Sequence, residues 1–443
     1  MSINITDNIV IFGLGSTGFH TAKFLFEHQY KVKVIDEDHN PRYYERLKKE
    51  LPGIEFSSCP DMGSIWILAA DIVVVSPGVP VEKKIWSKLT QAKIISDIEL
   101  FSQFAAAPLI AVTGTNGKST VVSLITHVLK CSGYNVAVGG NLGDPALSLI
   151  DDKIDYYVLE LSSFQLAYTY SLRAEVAVIL NITPDHLDWH GDYAKYTAAK
   201  LNILVGAKAA VLPYDIFDRN ERTAVKTYTF SSKSSLSSDF NIKNINEEYY
   251  LTKGNVPQVG VSDFALQGEH NILNYLAAYS VLDVLGLETS LYSKHAKSFL
   301  GLPHRCQNIG FMADRFWYND SKATNSDAMI AALSSINKLH SNVVLIAGGV
   351  FKEDIAVDLP QHIQLKAIVL FGRDGRILYD AWQHSYDCVL VQDLAAAIDV
   401  AYRHSDAGDA ILFSPSCASY DQFENYEKRG EFFVNYTQKK YNK

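Results

Sequence analysis

The chain is 443 residues long, which accommodates two to four domains, each large enough to bury its own core. Apolar residues make up 48 % of it and charged residues 20 %, with 26 Gly and 13 Pro, a balance that excludes a disordered or fibrous protein. The formal charge of −9, from 40 Lys and Arg against 49 Asp and Glu, excludes a protein whose affinity comes from neutralising nucleic-acid phosphates, so any anionic ligand must be met by a local positive field.

Three strand-rich blocks follow one another, each opening on a short β-branched run, a glycine turn and a helical pattern, which predicts βαβ units and parallel sheets. In the first, Asn8 to about Ile95, a strand at Ile9–Phe12 leads through Gly13-Leu14-Gly15-Ser16-Thr17-Gly18 into a helix over Phe19–Glu27, then strands at Lys31–Ile35 and Ile72–Val75. Met1 to Val10 has no cationic or apolar leader pattern, and the most apolar stretch, Ile65 to Val75, is interrupted by Asp71 and falls short of the ~18 residues of a membrane span. These features predict a cytoplasmic protein with no membrane insertion. The second block opens at Leu109–Thr113 and continues into a helix with apolar residues at Val121, Leu124, Ile125, Val128 and Leu129. Strands at Tyr156–Leu159 and Val176–Leu180 end on Glu160 and Asn181, at the carboxyl ends where open α/β sheets place ligands. Lys226 to Leu266 reads as a β excursion with a mobile serine-rich tip at Ser231–Ser238. The third block, after Gly301-Leu302-Pro303, has strands at Phe316–Tyr318, Val343–Ile346, Ala367–Phe371, Val389–Val391 and Ala410–Phe413, with helices such as Asp327–Leu339 and Leu394–Arg403 between them. The 5 cysteines, Cys59, Cys131, Cys306, Cys388 and Cys417, are odd in number, widely spaced and form no C-x-x-C, so they read as reduced thiols.

Two glycine loops carry chemistry. Gly13-x-Gly15-x-x-Gly18 lies between strand and helix, with Asp36 ending the next strand where a ribose-binding acid belongs. Alone it is compatible with a dinucleotide, another phosphate-bearing nucleotide or a structural turn, since a helix N-terminus offers amides to any phosphate. The second loop, Thr113-Gly114-Thr115-Asn116-Gly117-Lys118-Ser119-Thr120, departs from the general P-loop only where Val112 stands in place of glycine. It keeps amides to cradle phosphates, Lys118 to reach the β- and γ-phosphates, and Ser119 or Thr120 to offer a hydroxyl to Mg²⁺.

The second loop resembles the ATP loop of the Mur ligase superfamily, which includes the folylpolyglutamate synthases. Further segments match that superfamily in order: Gly139-Gly140-Asn141, Glu160 to Leu166, Asn181 to Asp188, Ala198-Ala199-Lys200, Gly268-Glu269-His270-Asn271-x-x-Asn274, Gly301 to Arg305 and Asn319 to Asn325. Leu161 to Leu166, Asp320 to Asn325 and Ser414 to Phe423 are most similar to the branch that adds D-glutamate. Where that branch commonly shows Gly-Gly-x-x-Lys-Gly, this chain has Gly348-Gly349-Val350-Phe351-Lys352-Glu353. The resemblance implies three α/β domains: a Rossmann-like UDP-substrate domain (1–95), a central P-loop ATPase domain (96–301) and a C-terminal Rossmann-like amino-acid domain (302–443).

The resemblance also implies a monomer that joins D-glutamate to UDP-N-acetylmuramoyl-L-alanine with ATP through an acyl phosphate. A sister ligase with another amino acid or a folate acceptor is the alternative, and an NAD-dependent dehydrogenase would leave the second loop unexplained. ATP would be held by Gly114, Thr115, Asn116, Gly117, Lys118, Ser119 and Thr120, with Asn271 and Asn274 on the adenine side, Asp320 at the ribose, and Arg305 and Lys322 at phosphates. Two Mg²⁺ are implied, one between Ser119 and Glu160, the other near His186 and a CO₂-derived carbamate on Lys200. Without the motif, Glu160 would read as a solvated strand end, His186 as a surface histidine and Lys200 as a solvated helix lysine. Asn141, Ser162 and His186 would meet the muramoyl end, Ser16, Thr17, Asp36 and Gly78 the uridine, and Thr324, Lys352, Ser419 and Tyr426 the D-glutamate.

Overall fold

A computed structural model describes residues 3–58, 65–79, 92–219, 225–232, 238–266, 269–351, 359–360 and 363–442. Lys352, Glu353, Gly268, Cys59 and the middle of the serine-rich tip lie outside the described residues. Two compact units divide between Phe299 and Leu300.

The first unit holds two sheets. One has the order β3-β2-β1-β4-β5, all parallel, from β1 (Ile9–Phe12), β2 (Val32–Ile35), β3 (Glu55–Ser57), β4 (Ile72–Val75) and β5 (Lys93–Ile95). β1 and β4 are buried at every position, as strands covered on both faces must be. Helix α1 (Ser16–Glu27) follows β1 and buries Phe19, Ala22 and Leu25. A connector, α2 (Asp97–Phe104), then leads to the second sheet.

That sheet has nine strands in the order β14-β13-β12-β11-β10-β9-β6-β8-β7. They are β6 (Leu109–Thr113), β7 (Val136–Gly140), β8 (Tyr156–Glu160), β9 (Val176–Ile179), β10 (Ala209–Pro213), β11 (Lys226–Ser231), β12 (Phe240–Ile245), β13 (Glu248–Lys253) and β14 (Val256–Gly260). Helix α3 (Lys118–Cys131) buries Val121, Val122, Leu124, Ile125, Val128 and Leu129, each worth roughly 1.5–3 kcal/mol of burial. The segment read as a β excursion is built of strands, and these extend this sheet: β11 pairs parallel with β10, and β12 to β14 add an antiparallel meander. Pairing satisfies backbone groups that an isolated ribbon would leave to solvent. Ile9, Leu25 and Phe101 share one buried cluster with Leu109, Leu159 and Ala177, so the two sheets of this unit have a continuous apolar core.

The second unit has one sheet, β15-β16-β20-β17-β18-β19, from β15 (Gln307–Met312), β16 (Arg315–Asn319), β17 (Val343–Gly348), β18 (Ala367–Phe371), β19 (Cys388–Leu390) and β20 (Ala410–Phe413). Only β15 runs antiparallel. β3, β5, β7, β10 and β15 are strands that the sequence reading passes over; four of the five lie at or beside a sheet edge and lack a long apolar run. Among the described residues, no helix is long and apolar enough to cross a membrane.

Candidate active site

The loop between β6 and α3 is built around Gly117, whose φ of +84° favours glycine, and a Cβ there would stand 2.5 Å from Asn274 Oδ1. That approach brings α6 (Glu269–Val284), with Asn271 and Asn274, against the loop, and Asn274 Nδ2 donates to Asn271 Oδ1 at 3.4 Å. Asn181 braces the loop: its Oδ1 accepts the amides of Thr115 and Asn116 at 3.0 and 2.8 Å, and its Nδ2 donates to Asn116 O at 3.0 Å. Lys118 Nζ folds back to donate to Gly114 O and Thr115 O at 2.9 and 2.8 Å. The first amides of α3, where Ser119 and Thr120 stand, have no acceptor within their own helix and present a phosphate site.

Glu160, at the end of β8, is 3 % exposed. Its Oε2 accepts Ser119 Oγ–H at 2.6 Å and its Oε1 accepts Asn141 Nδ2–H at 2.7 Å. Gly140, at φ +94°, lets the chain pass so close to Glu160 O that a Cβ would sit 2.4 Å from it. A hydroxyl and a carboxylate side by side are oxygen donors of the kind Mg²⁺ takes when it binds through one carboxylate, phosphates and water. Among the described residues no group of three His, Cys, Asp or Glu side chains is placed to hold a metal ion.

Two helices supply the rest: α4 (Ser163–Leu166), directly after Ser162, and α5 (Tyr193–Leu201). Lys200, on α5, is 2 % exposed, so the reading of it as a solvated helix lysine fails. Its Nζ donates to Gly114 O at 2.8 Å and lies 4.8 Å from the centre of the Tyr196 ring. Burial, then the charge of Lys118, pulls its pKa down to about 7, toward the range where the neutral amine is populated. His186 has φ +49° and is half exposed, 3.5 Å from Asp185 and packed on Phe164. His190 is buried on Ser163 Oγ at 3.0 Å; burial, with His186 and Lys200 adding to it, lowers its pKa to about 4. Sequence reasoning missed His190 and Tyr196, whose hydroxyl meets Thr115 Oγ1 at 2.9 Å. The available signal was spacing: each lies four residues from a singled-out partner, His186 or Lys200. Ser162 is an N-cap, its Oγ accepting from Gln165 N and donating to Gln165 Oε1.

The residues expected at the uridine gather at the carboxyl ends of the first sheet. Ser16 and Thr17 open α1, Gly78 stands in the turn after β4, and Ser76 Oγ of that turn donates to Gly13 O at 2.8 Å. Asp36 accepts the Leu14 amide on Oδ2 at 2.6 Å and the Asp38 amide on Oδ1 at 2.9 Å.

In the second unit, Asp320 follows β16, accepting Cys306 N–H at 3.0 Å and Ser414 Oγ–H at 2.7 Å. Burial pushes it up to about 7, against the Ser414 hydrogen bond and the charge of Arg305. Lys322 Nζ lies 5.4 Å from the centre of the Tyr426 ring, at the start of α7 (Tyr426–Tyr441). Buried Arg429 of that helix fixes the segment by donating to Ser321 Oγ and O at 3.1 and 2.8 Å. Thr324 lies in the irregular segment before the helix Ser326–Ile336, and Ser419 is buried beside Ala418, which pairs with Val350.

Three α/β domains, with a phosphate loop, its lysine and a buried carboxylate at the centre of the middle one, define a nucleotide-binding enzyme of the P-loop type. Residues 7–96 match the Mur ligase MurD-like N-terminal domain, 112–282 the Mur ligase middle domain and 304–417 the Mur ligase glutamate ligase domain. The chain is 38 % identical over 435 residues to UDP-N-acetylmuramoylalanine--D-glutamate ligase of Alcanivorax borkumensis, with 97 % of each chain covered. It is 37 % identical over 441 residues to the enzyme of that name from Haemophilus influenzae, covering 97 % of this chain and 98 % of the relative. Among solved structures, UDP-N-acetylmuramate-alanine ligase from Thermotoga maritima aligns with a TM-score of 0.56 at 17 % identity, over 97 % of this chain and 99 % of the other, a likeness of fold. This chain belongs to the Mur ligase family.

Proposed function

We propose that the enzyme joins D-glutamate to the alanyl carboxylate of UDP-N-acetylmuramoyl-L-alanine, using ATP and Mg²⁺, in the cytoplasm and as a monomer. Full-length similarity to D-glutamate ligases supports the substrates. The convergence of Lys118, Ser119, Glu160, Asn141 and Lys200 on the loop after β6 carries the chemistry.

A carboxylate is a poor acylating agent, so it needs a leaving group. Its oxygen attacks the γ-phosphorus, ADP departs and an acyl phosphate forms; the D-glutamate amine then attacks the acyl carbon, loses a proton and expels phosphate. Lys118 leaves the carbonyls of Gly114 and Thr115 for the β- and γ-phosphates, placing a cation where charge develops. Ser119 and Glu160 would hold one Mg²⁺, and His186 with carbamylated Lys200 a second. When bound, the metal neutralises phosphate oxygens. Lys200 reaches that state as a neutral amine that adds CO₂ and releases a proton.

We assign adenine to Asn271 and Asn274, ribose to Asp320 and phosphates to Arg305 and Lys322. The muramoyl end goes to Asn141, Ser162 and His186, the uridine to Ser16, Thr17, Asp36 and Gly78, and D-glutamate to Thr324, Lys352, Ser419 and Tyr426. The domains are taken as 1–95, 96–301 and 302–443. Phosphate release with UDP-N-acetylmuramoyl-L-alanine against D- and L-amino acids tests the reading: D-glutamate alone should support rapid turnover, and preference for another amino acid would assign a sister activity.

A further inference from the structure

Of the buried side-chain oxygens and nitrogens without a hydrogen-bond partner among the described residues, one belongs to a carboxylate, Asp97 Oδ2. Asp97 is 1 % exposed and opens α2, the connector from the first sheet to the strand that carries the phosphate loop. Two residues along, equally buried Glu99 is fully used, accepting the amides of Tyr170 and Ser171 at 2.6 and 2.9 Å and the Ser171 hydroxyl. The contrast singles out Asp97, because buried polar groups are normally satisfied.

The other Asp97 oxygen faces Gln165 Nε2 at 3.5 Å. Gln165 is buried, and its Oε1 accepts both the amide and the hydroxyl of Ser162 at 3.1 Å. The two ends of a glutamine amide have nearly the same shape, so packing alone does not choose between its flip states. A flipped amide would set its NH₂ against the Ser162 N–H. Both neighbours select the same state: the Ser162 N–H needs the acceptor Oε1, and on the far side an ionised carboxylate has only acceptors, so Nε2 must face it. Burial raises the Asp97 pKa to about 6, opposed by Gln165 and the amides of Asp97 and Ile98, which leaves the group ionised at pH 8.

We propose that Asp97 is a positioning residue for the UDP-linked substrate, an acceptor-only group that locks the Gln165 amide and through it holds Ser162, two residues beyond Glu160. The inference rests on the proposed use of Ser162 at the muramoyl end. Asparagine here could present its own NH₂ and withdraw that second constraint, leaving the Ser162 N–H alone to hold the amide.

The full-length enzyme is assayed at pH 8 by phosphate release, varying UDP-N-acetylmuramoyl-L-alanine at saturating ATP and D-glutamate, for the wild type, Asp97→Asn, Asp97→Leu, Gln165→Met and Asp97→Leu/Gln165→Met. KM for the UDP substrate should rise about tenfold in Asp97→Leu and in Gln165→Met and about threefold in Asp97→Asn, the range of one misoriented hydrogen-bonded group. KM for ATP should stay within about twofold, and the double variant should be no worse than either single, because both break one link. The Tm of Asp97→Asn should equal or exceed that of the wild type. An unchanged KM in Asp97→Leu, additive losses in the double variant, or losses that simply follow a fallen Tm would overturn the proposal. Calorimetric binding of the UDP substrate reads the same order without turnover, so a wild type that binds it but shows no D-glutamate activity would refute the proposed function while still testing Asp97.

Discussion

The loops after β1 and β6 are the same local device, a buried strand running through glycines into a helix, yet they are furnished differently. In the first, the glycines serve close approach: a Cβ on Gly18 would lie 1.9 Å from Gly13 O, and one on Gly13 would lie 2.8 Å from Ser76 Cβ. Among the described residues its charged partner is Asp36, which organises the amides of Leu14 and Asp38. The second loop carries Lys118, has Ser119 bonded to buried Glu160, and has Lys200 on the carbonyl of Gly114. Binding a ligand needs shape and amides, whereas transferring a phosphoryl group needs positive charge and metal oxygens where charge develops. The contrast supports the proposal that the family's chemistry belongs to the second loop and recognition to the first.

Lys118→Ala should break the second loop most severely, lowering kcat by about 10³-fold, or about 4 kcal/mol, the scale of a lost transition-state donor. An unchanged circular dichroism spectrum would show that the fold survives, and near-normal turnover would remove the loop from the chemistry. Next, Lys200→Arg should be about as damaging as Lys200→Ala, roughly 10²-fold, because neither forms a carbamate and arginine stays charged. Small carboxylates should restore part of the activity to Lys200→Ala, and full activity in Lys200→Arg would leave the lysine as a plain phosphate-facing cation.

The first loop should answer to shape instead. Gly18→Ala forces backbone against backbone and should cost about 1–3 kcal/mol in stability or an equivalent rise in KM for the UDP substrate. Gly15→Ala, with φ −81° and open space around it, should stay within about 0.5 kcal/mol. Equal sensitivity at the two positions, read from urea melts and KM, would argue against close approach as their reason.

The connector between the loops has a pH signature. Burial raises Asp97 from 3.8 to about 6, so the native state binds the proton more tightly than the unfolded state. Its contribution is full below pH 3.8, falls as pH rises to 6, and stays lost above that. Asp97→Asn should therefore gain on the order of 2 kcal/mol of stability at pH 8 and little at pH 4, as followed by urea melts at the two values. A gain independent of pH would rule out ionisation as the cause.

Both loops were legible because their determinants are local: a strand buried on both faces, glycines at the turn, and an apolar helical stripe such as Val121, Leu124, Ile125 and Val128. Glu160 and Asn181 could be placed at strand ends for the same reason. The motif resemblance supplied Lys200, but its neighbours alone gave no sign of burial, since lysine on a short helix is ordinarily solvated. β11 to β14 read as an excursion because alternating short runs do not say which sheet edge they join.

By itself, then, the sequence determined the βαβ units, the two phosphate-type loops and the residue types available for chemistry, since each follows from neighbours within one turn or one strand. Only the tertiary structure decided their states, because these depend on groups distant in the chain. Ser119 meets Glu160 across 41 residues, Asp97 meets Gln165 across 68, and Lys200 meets Gly114 across 86. Burial among such partners brings the amine of Lys200 to a pKa of about 7 and leaves one oxygen of Asp97 without a partner. Desolvation is a property of the assembled surroundings, and no local pattern of residues encodes it.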